Sequence, residues 1–245
     1  MLYKIIPLLV GTFLSIEKST FTYNEGCGEK IKAPIFSWLI KGENEVILVD
    51  TGPPSADQAL RHPIMKQEKE NALSWALKIH GISQKNIKWI VLTHLHWDHC
   101  YNLKLFPNAK FIIQKKELQY AITPLPIHQI TYETNLKDVQ PSWFDVFQRM
   151  FVINGDYELT SGLKILFVPG HTPGTQGLNV NTKKGKYLIA SDTFPTFENF
   201  EKVIPPGIHV DLNEWYDSFY KVKNECDFIL PGHDMKVLDK SIYGE

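Results

Sequence analysis

Cysteine is scarce in this chain of 245 residues: Cys27, Cys100 and Cys226 stand far apart, with no Cys-x-x-Cys pair among them. A disulfide framework is therefore not expected, and a reducing, cytoplasmic compartment fits. Excess charge is missing as well. The 26 basic and 27 acidic residues leave a net charge of −1, which removes any global electrostatic reason to bind nucleic acid. The two short basic stretches, Lys115-Lys116 and Lys183-Lys184-Gly185-Lys186, read as a helix start and a hairpin turn. No apolar run is long enough to span a membrane. Met1 to Ser15 is apolar, but Pro7 interrupts it and Lys4 is its one charged side chain, so it reads as a first strand and not as a secretory signal. There is no Gly-x-Ser-x-Gly, and hence no signature of a serine nucleophile. Internal repeats and low-complexity tracts are also absent.

What the chain does have is concentrated in residues 93–99, Thr-His-Leu-His-Trp-Asp-His. His94, His96, Asp98 and His99 within six residues are a poor way to build a core and a good way to build a metal site, because imidazole nitrogen binds zinc and related ions at about 2.0–2.1 Å and carboxylate adds charge. The alternative is a solvated loop rich in His, but the heptad follows Lys88-Trp89-Ile90-Val91-Leu92, which reads as a buried strand. The same arrangement recurs three times. Leu163 to Val168 runs into Pro169-Gly170-His171, Tyr187 to Ala190 into Ser191-Asp192, and Phe228 to Leu230 into Pro231-Gly232-His233. Taken singly, His171 and His233 read as structural or surface residues. Taken with the heptad, they read as ligands delivered by strand ends to one edge of a sheet.

The set His94, His96, Asp98, His99, His171, Asp192 and His233, with the strand Glu45 to Asp50 running into Thr51-Gly52, resembles the metallo-β-lactamase superfamily in the order of all five motifs. The resemblance implies an α/β fold, a four-layer αββα sandwich, with two divalent metal ions at the sheet edge. It implies that His94, His96 and His171 hold one metal and Asp98, His99 and His233 the second, with Asp192 bridging both together with a hydroxide. It gives Asp50 the task of orienting the ligand loop. Zinc is the default metal, and manganese, cobalt or iron suit the same ligands.

Length and composition agree with one domain over 1–245, since 43% hydrophobic and 12% aromatic content can fill one large core. Two halves are expected, about 1–113 and 150–245, joined by a segment 114–149. The first should carry strands near 4–10, 35–40, 45–50, 88–93 and 110–113 and a helix near 69–80. The second should carry strands near 150–153, 163–168, 176–181, 186–191 and 227–231, and a helix starting at Asp211 with Glu214 three residues on. The segment 114–149 is either core-packed helices or a lid that walls an apolar pocket. Of the other histidines, His80 suits a helix C-terminus, His62 and His128 could face the pocket, and His209 has no ligand-bearing context. Cys100 is expected to be a small buried side chain and not a ligand.

The implied chemistry is hydrolysis of a small-molecule lactone or carboxylic ester, with Asp98 and Asp192 as the catalytic carboxylates and Asp98 carrying a proton to the leaving group. Within the superfamily, Phe21-Thr22-Tyr23, Gly28-Glu29-Lys30 and the heptad with Trp97 look similar to the N-acyl homoserine lactonase group. That group often has Tyr three residues after the bridging Asp, whereas here Asp192 is followed by Thr193-Phe194-Pro195. Tyr101 or Tyr23 could substitute. Trp143, Phe144, Phe147, Phe194, Phe197 and Phe200 are candidates to line the substrate pocket. A mononuclear iron oxidoreductase of persulfide-dioxygenase type, a phosphodiesterase or thioesterase of the same superfamily, and a catalytically silent binding protein remain the alternatives.

Overall fold

The computed structural model describes all 245 residues. Twelve strands form two sheets. The first holds β1 (Lys4–Glu17), β2 (Lys30–Lys41), β3 (Val46–Val49), β4 (Met65–Lys66), β5 (Trp89–Val91), β6 (Lys110–Gln114) and β7 (Met150–Ile153), in the order β4-β1-β2-β3-β5-β6-β7. The second holds β8 (Tyr157–Thr160), β9 (Leu163–Phe167), β10 (Gln176–Thr182), β11 (Gly185–Ser191) and β12 (Phe228–Pro231), in the order β12-β11-β10-β9-β8. The helices are α1 (Leu73–Ile79), α2 (Trp97–Cys100), α3 (Lys115–Ile122), α4 (Gln129–Tyr132), α5 (Phe197–Lys202) and α6 (Leu212–Glu225).

Strand alternation explains the layering. In β2, Phe36, Trp38 and Ile40 face one way, and they pack with Val49, Val91, Ile112, Ile165, Leu178 and Ile189 between the sheets. Their neighbours Ile35 and Leu39 face the other way, into a cluster with Leu77 of α1, Leu118 of α3 and Tyr132 of α4. On the far side, Leu188 and Ala190 of β11 meet Trp215, Phe219 and Val222 of α6. Both sheets are therefore covered on both faces, and their strands carry apolar residues in both registers. This is the expected four-layer αββα sandwich.

Several elements differ from the sequence reading. Residues 150–153 do not open the second half: β7 pairs in parallel with β6 and completes the first sheet. The second sheet begins instead at β8, which its mixed polar pattern concealed. The helix near 69–80 is shortened because Ala72 is extended (φ −59°, ψ 130°), leaving a 3-10 turn before α1. The start at Asp211 is as expected, its side chain accepting the Glu214 N–H at 2.9 Å. Strands β3, β5, β6 and β7 run parallel, as do β11 and β12. Carboxyl ends of parallel strands are the usual place for ligands in α/β sheets.

Candidate metal centre

All seven residues singled out in the sequence meet at one edge of the sandwich. His94, His96 and His171 form one group able to hold a metal ion, Asp98, His99 and His233 a second, and His94, His99 and Asp192 a third between them, all buried. Asp192 presents one oxygen to each side. Its Oδ1 lies 3.2 Å from His233 Nε2 and 3.4 Å from His99 Nε2, while Oδ2 lies 3.7 Å from His171 Nε2. Asp98 Oδ2 stands 3.6 Å from His99 Nε2 and 3.7 Å from His233 Nε2. His96 Nδ1 and His171 Nε2 are 3.2 Å apart.

The second ring nitrogen of four of the five histidines is tied down, which fixes the tautomer and aims the free nitrogen inward. His171 Nδ1–H donates to the Ile208 carbonyl at 2.7 Å and His233 Nδ1–H to the Pro34 carbonyl at 2.8 Å. His99 Nδ1–H donates to Asp50 Oδ2 at 2.9 Å. His94 Nδ1–H donates at 3.1 Å to the Thr93 hydroxyl, which donates in turn to Asp50 at 2.7 Å. Asp50, just after β3, thus orients two of these histidines, and it also accepts the Thr93 N–H at 2.8 Å. Two site residues hold left-handed backbone, Asp50 (φ 57°) and Ser191 (φ 46°), a conformation that costs free energy and persists where the surroundings enforce it. Gly232 is required by close approach, because a Cβ there would lie 2.4 Å from Asp192 Oδ1.

The donor set fits divalent metal. His94 Nε2 and His99 Nε2 are both buried with no hydrogen-bond partner, which for the neutral His94 ring is an expensive condition unless an electrophile takes its lone pair. Electrostatics point the same way. Burial holds His94 and His96 well below the usual histidine range and lowers His171, which favours neutral rings able to bind metal. Burial also opposes the His99 cation, but the facing Asp98 and Asp192 carboxylates and the Asp50 bond push it up to about 10. Asp192, despite its burial, is held well below the carboxylate range by His233 and His99. Excess negative charge meets orphaned nitrogens here, and a pair of cations satisfies both.

Glu117 was not legible in the sequence. Its carboxylate, fully buried at the start of α3, accepts the Leu95 N–H (2.9 Å) and the Tyr132 hydroxyl (2.9 Å) on one oxygen. The other oxygen accepts the Thr172 hydroxyl (2.6 Å) and the Gly174 N–H (3.2 Å). Gly174 permits this, since a Cβ would fall 2.2 Å from the Glu117 backbone nitrogen. In Lys115-Lys116-Glu117 nothing local distinguishes it from a solvated helix end.

A cavity of about 250 Å³ opens over the centre. Phe13, Ile16, Phe21, Trp97, Ile130 and Ile208 supply its apolar wall, and Arg61, His62, Thr20 and Thr131 its polar groups. The aromatic wall expected from residues 143–147 and 194–200 is corrected by this. Trp143, Phe144 and Phe147 surround a separate hollow with Ile122 and Pro141, Phe194 and Phe200 pack around Trp215 and Phe219, and Phe197 lines a further hollow with Tyr187 and Phe228. The segment 114–149 does contribute, through Ile130 and Thr131 at the wall and Tyr132 packed edge-on to His96 at 4.7 Å. His62 faces the cavity as one reading allowed, stacked on Trp97 at 3.8 Å and bonded to Glu133 at 3.0 Å. His128 instead bonds Tyr120, and His80 caps α1. Cys100 is buried with its thiol near Ser142. Neither Tyr101 nor Tyr23 lines the cavity; the Tyr23 ring packs on His209.

This architecture and donor set define a dinuclear-type metallohydrolase scaffold. Residues 32–233 match the metallo-beta-lactamase superfamily, and the chain belongs to it. Its relatives include an N-acyl homoserine lactonase of a Bacillus sp, 31% identical over 189 residues (73% of this chain and 71% of that one). The N-acyl homoserine lactonase AiiA of Bacillus thuringiensis subsp. kurstaki is 30% identical over 225 residues, 85% of this chain and 84% of its own. A solved N-acyl homoserine lactone hydrolase with the product N-hexanoyl-L-homoserine at its catalytic metal centre superposes with a TM-score of 0.80 at 26% identity, covering 98% of this chain and 96% of its own.

Proposed function

We propose that the protein is a metal-dependent hydrolase of lactones, with an N-acyl homoserine lactone or a related acyl-bearing lactone as substrate. The observation that carries this is the pairing of two ligand groups, His94/His96/His171 and Asp98/His99/His233, around Asp192 at the floor of an apolar cavity of about 250 Å³. Relatives of about 30% identity that are N-acyl homoserine lactonases support the substrate class.

His94, His96 and His171 would hold one divalent ion and Asp98, His99 and His233 a second, zinc by default, and when bound these would supply Lewis acidity for activating water and polarising an ester carbonyl. The chain's own groups do the rest. Asp192 offers one oxygen to each ligand group and keeps the two in register. Asp98, whose Oδ2 faces both His99 and His233, is the carboxylate available to pass a proton to the departing alkoxide. Phe13, Ile16, Phe21 and Trp97 exclude water and receive the acyl chain, an arrangement suited to an apolar substrate and not to a polyanion. With Pro195 and no phenol three residues after Asp192, the polar groups able to meet a substrate carbonyl at the wall are Thr20, Thr131 and Arg61. A mononuclear iron reading would leave Asp98, His99 and His233 without a task. Three free cysteines suit a reducing, cytoplasmic setting, and no helix is long and apolar enough to cross a membrane.

The test is a parallel screen of the metal-loaded protein on acyl homoserine lactones, simple γ- and δ-lactones, aryl esters, thioesters and bis-aryl phosphodiesters. Lactone turnover that is lost in Asp192→Asn is expected. Phosphodiester turnover with none on any lactone or ester would overturn the assignment.

A further inference from the structure

We propose that Glu117 is the positioning residue for the metal position formed by His94, His96 and His171, an inference that rests on the ligand assignment above. The ligands of this position come from different sheets. His94 and His96 lie on the loop after β5 of the first sheet, and His171 lies on the loop after β9 of the second. One buried carboxylate joins those loops. Leu95, whose N–H Glu117 accepts at 2.9 Å, sits between His94 and His96. Thr172, whose hydroxyl it accepts at 2.6 Å, follows His171 directly, and Gly174 is bound at 3.2 Å. The fourth donor, Tyr132 at 2.9 Å, lays its ring edge-on to His96.

All four partners are donors, two on each oxygen, so the group that fits is an ionised carboxylate. Glutamine fills the same volume but turns an amide N–H₂ toward two of those donors, and it removes a buried negative charge next to a position meant for a dication. The second position is held otherwise, His99 by Asp50 and His233 by the Pro34 carbonyl, with no bond to Glu117. Loss of Glu117 should therefore act on one metal and not on the pair.

The metal-loaded full chain and its Glu117→Gln variant are equilibrated against graded EDTA, and zinc per chain is read by elemental analysis, with amide exchange followed at Leu95 and Gly174. We expect the variant to release one zinc at about 10- to 100-fold lower chelator than the native chain, the scale at which partners of ligands act. The second zinc should stay near its native release point, and exchange should quicken at those two amides. A folded variant with the native release profile, or one that loses both ions together, would overturn the proposal. Should Glu117→Gln fail to fold, Tyr132→Phe and Thr172→Val each delete one donor and should give the same one-metal shift in smaller measure. Native release in both would equally overturn it. No substrate enters the measurement, so absence of lactone turnover would count against the proposed function alone.

Discussion

Asp50→Asn tests how far the ligands depend on what stands behind them. Asp50 accepts three bonds, from Thr93 N–H (2.8 Å), Thr93 Oγ1 (2.7 Å) and His99 Nδ1 (2.9 Å). Asparagine keeps one carbonyl oxygen for Thr93 N–H and turns an amide N–H₂ toward His99. That amide donates to Nδ1, so the ring proton moves to Nε2, the nitrogen that faces Asp98 and Asp192 and must be free to bind metal. A charge-assisted bond to a buried group is worth about 1.5–3 kcal/mol, which is roughly one to two decades in a binding constant. The same substitution frees the Thr93 hydroxyl that orients His94. Chelator-release curves should thus shift by about 10- to 100-fold for both metals, and kcat/KM on a lactone should fall with metal occupancy. A folded Asp50→Asn protein with native metal retention would refute the tautomer argument.

pH should act on the metal-free protein in two windows. His94, His96 and His171 have folded pKa values lowered chiefly by burial, whereas the unfolded chain protonates near about 6.5. Their contribution is complete above that value and lost as pH falls below it. His99, raised to about 10, contributes fully below about 6.5 and loses its share as pH climbs through about 10. Calorimetry of chelator-treated protein should give a melting temperature that declines on both sides of neutrality, and a flat profile from pH 5 to 6.5 would contradict the burial argument. Trp97→Ala, which empties a buried ring packed on His62 and Phe13, should cost about 3–5 kcal/mol in urea unfolding. A loss under about 1 kcal/mol would show that the cavity wall does not rest on it.

The gathering of these candidate ligands at one place was legible because coordination demands particular side chains at short spacing, and no core or solvated loop asks for His94-x-His96-x-Asp98-His99. The strand ends carrying His171, Asp192 and His233 were legible for the same reason, each being an apolar run that stops at a residue able to bind metal. The wall of the cavity above them was not. It was sought among aromatics between 143 and 200, but much of it comes from Phe13, Ile16 and Phe21 near the N-terminus, with Trp97, Ile130 and Ile208. Strand β1 continues to Glu17 past register shifts between Leu9 and Gly11 and between Phe13 and Ile16. Such shifts break the two-residue alternation by which a strand is read and turn side chains to a new face. β7 was misassigned because Met150–Ile153 carries the same local pattern whichever sheet it joins. The choice of β6 as its neighbour is a long-range fact. Glu117 was missed on the same grounds, since its four donors come from three separate segments.

Each proposed metal position takes ligands from both sheets, so metal binding and sheet packing are one problem. The β5 loop gives His94, His96, Asp98 and His99, while β9, β11 and β12 give His171, Asp192 and His233. Buried apolar residues from both sheets hold the layers together independently of the ligands. That core fixes the sheets at a spacing suited to side-chain packing, which is far coarser than the few tenths of an ångström that coordination tolerates. The finer adjustment falls to buried carboxylates that span loops: Asp50 behind His99 and His94, and Glu117 across the His96 and His171 loops. Apolar packing brings the two sheets together without choosing a geometry for the edge. Charged hydrogen bonds choose it, and they can because the core has already excluded the water that would weaken them.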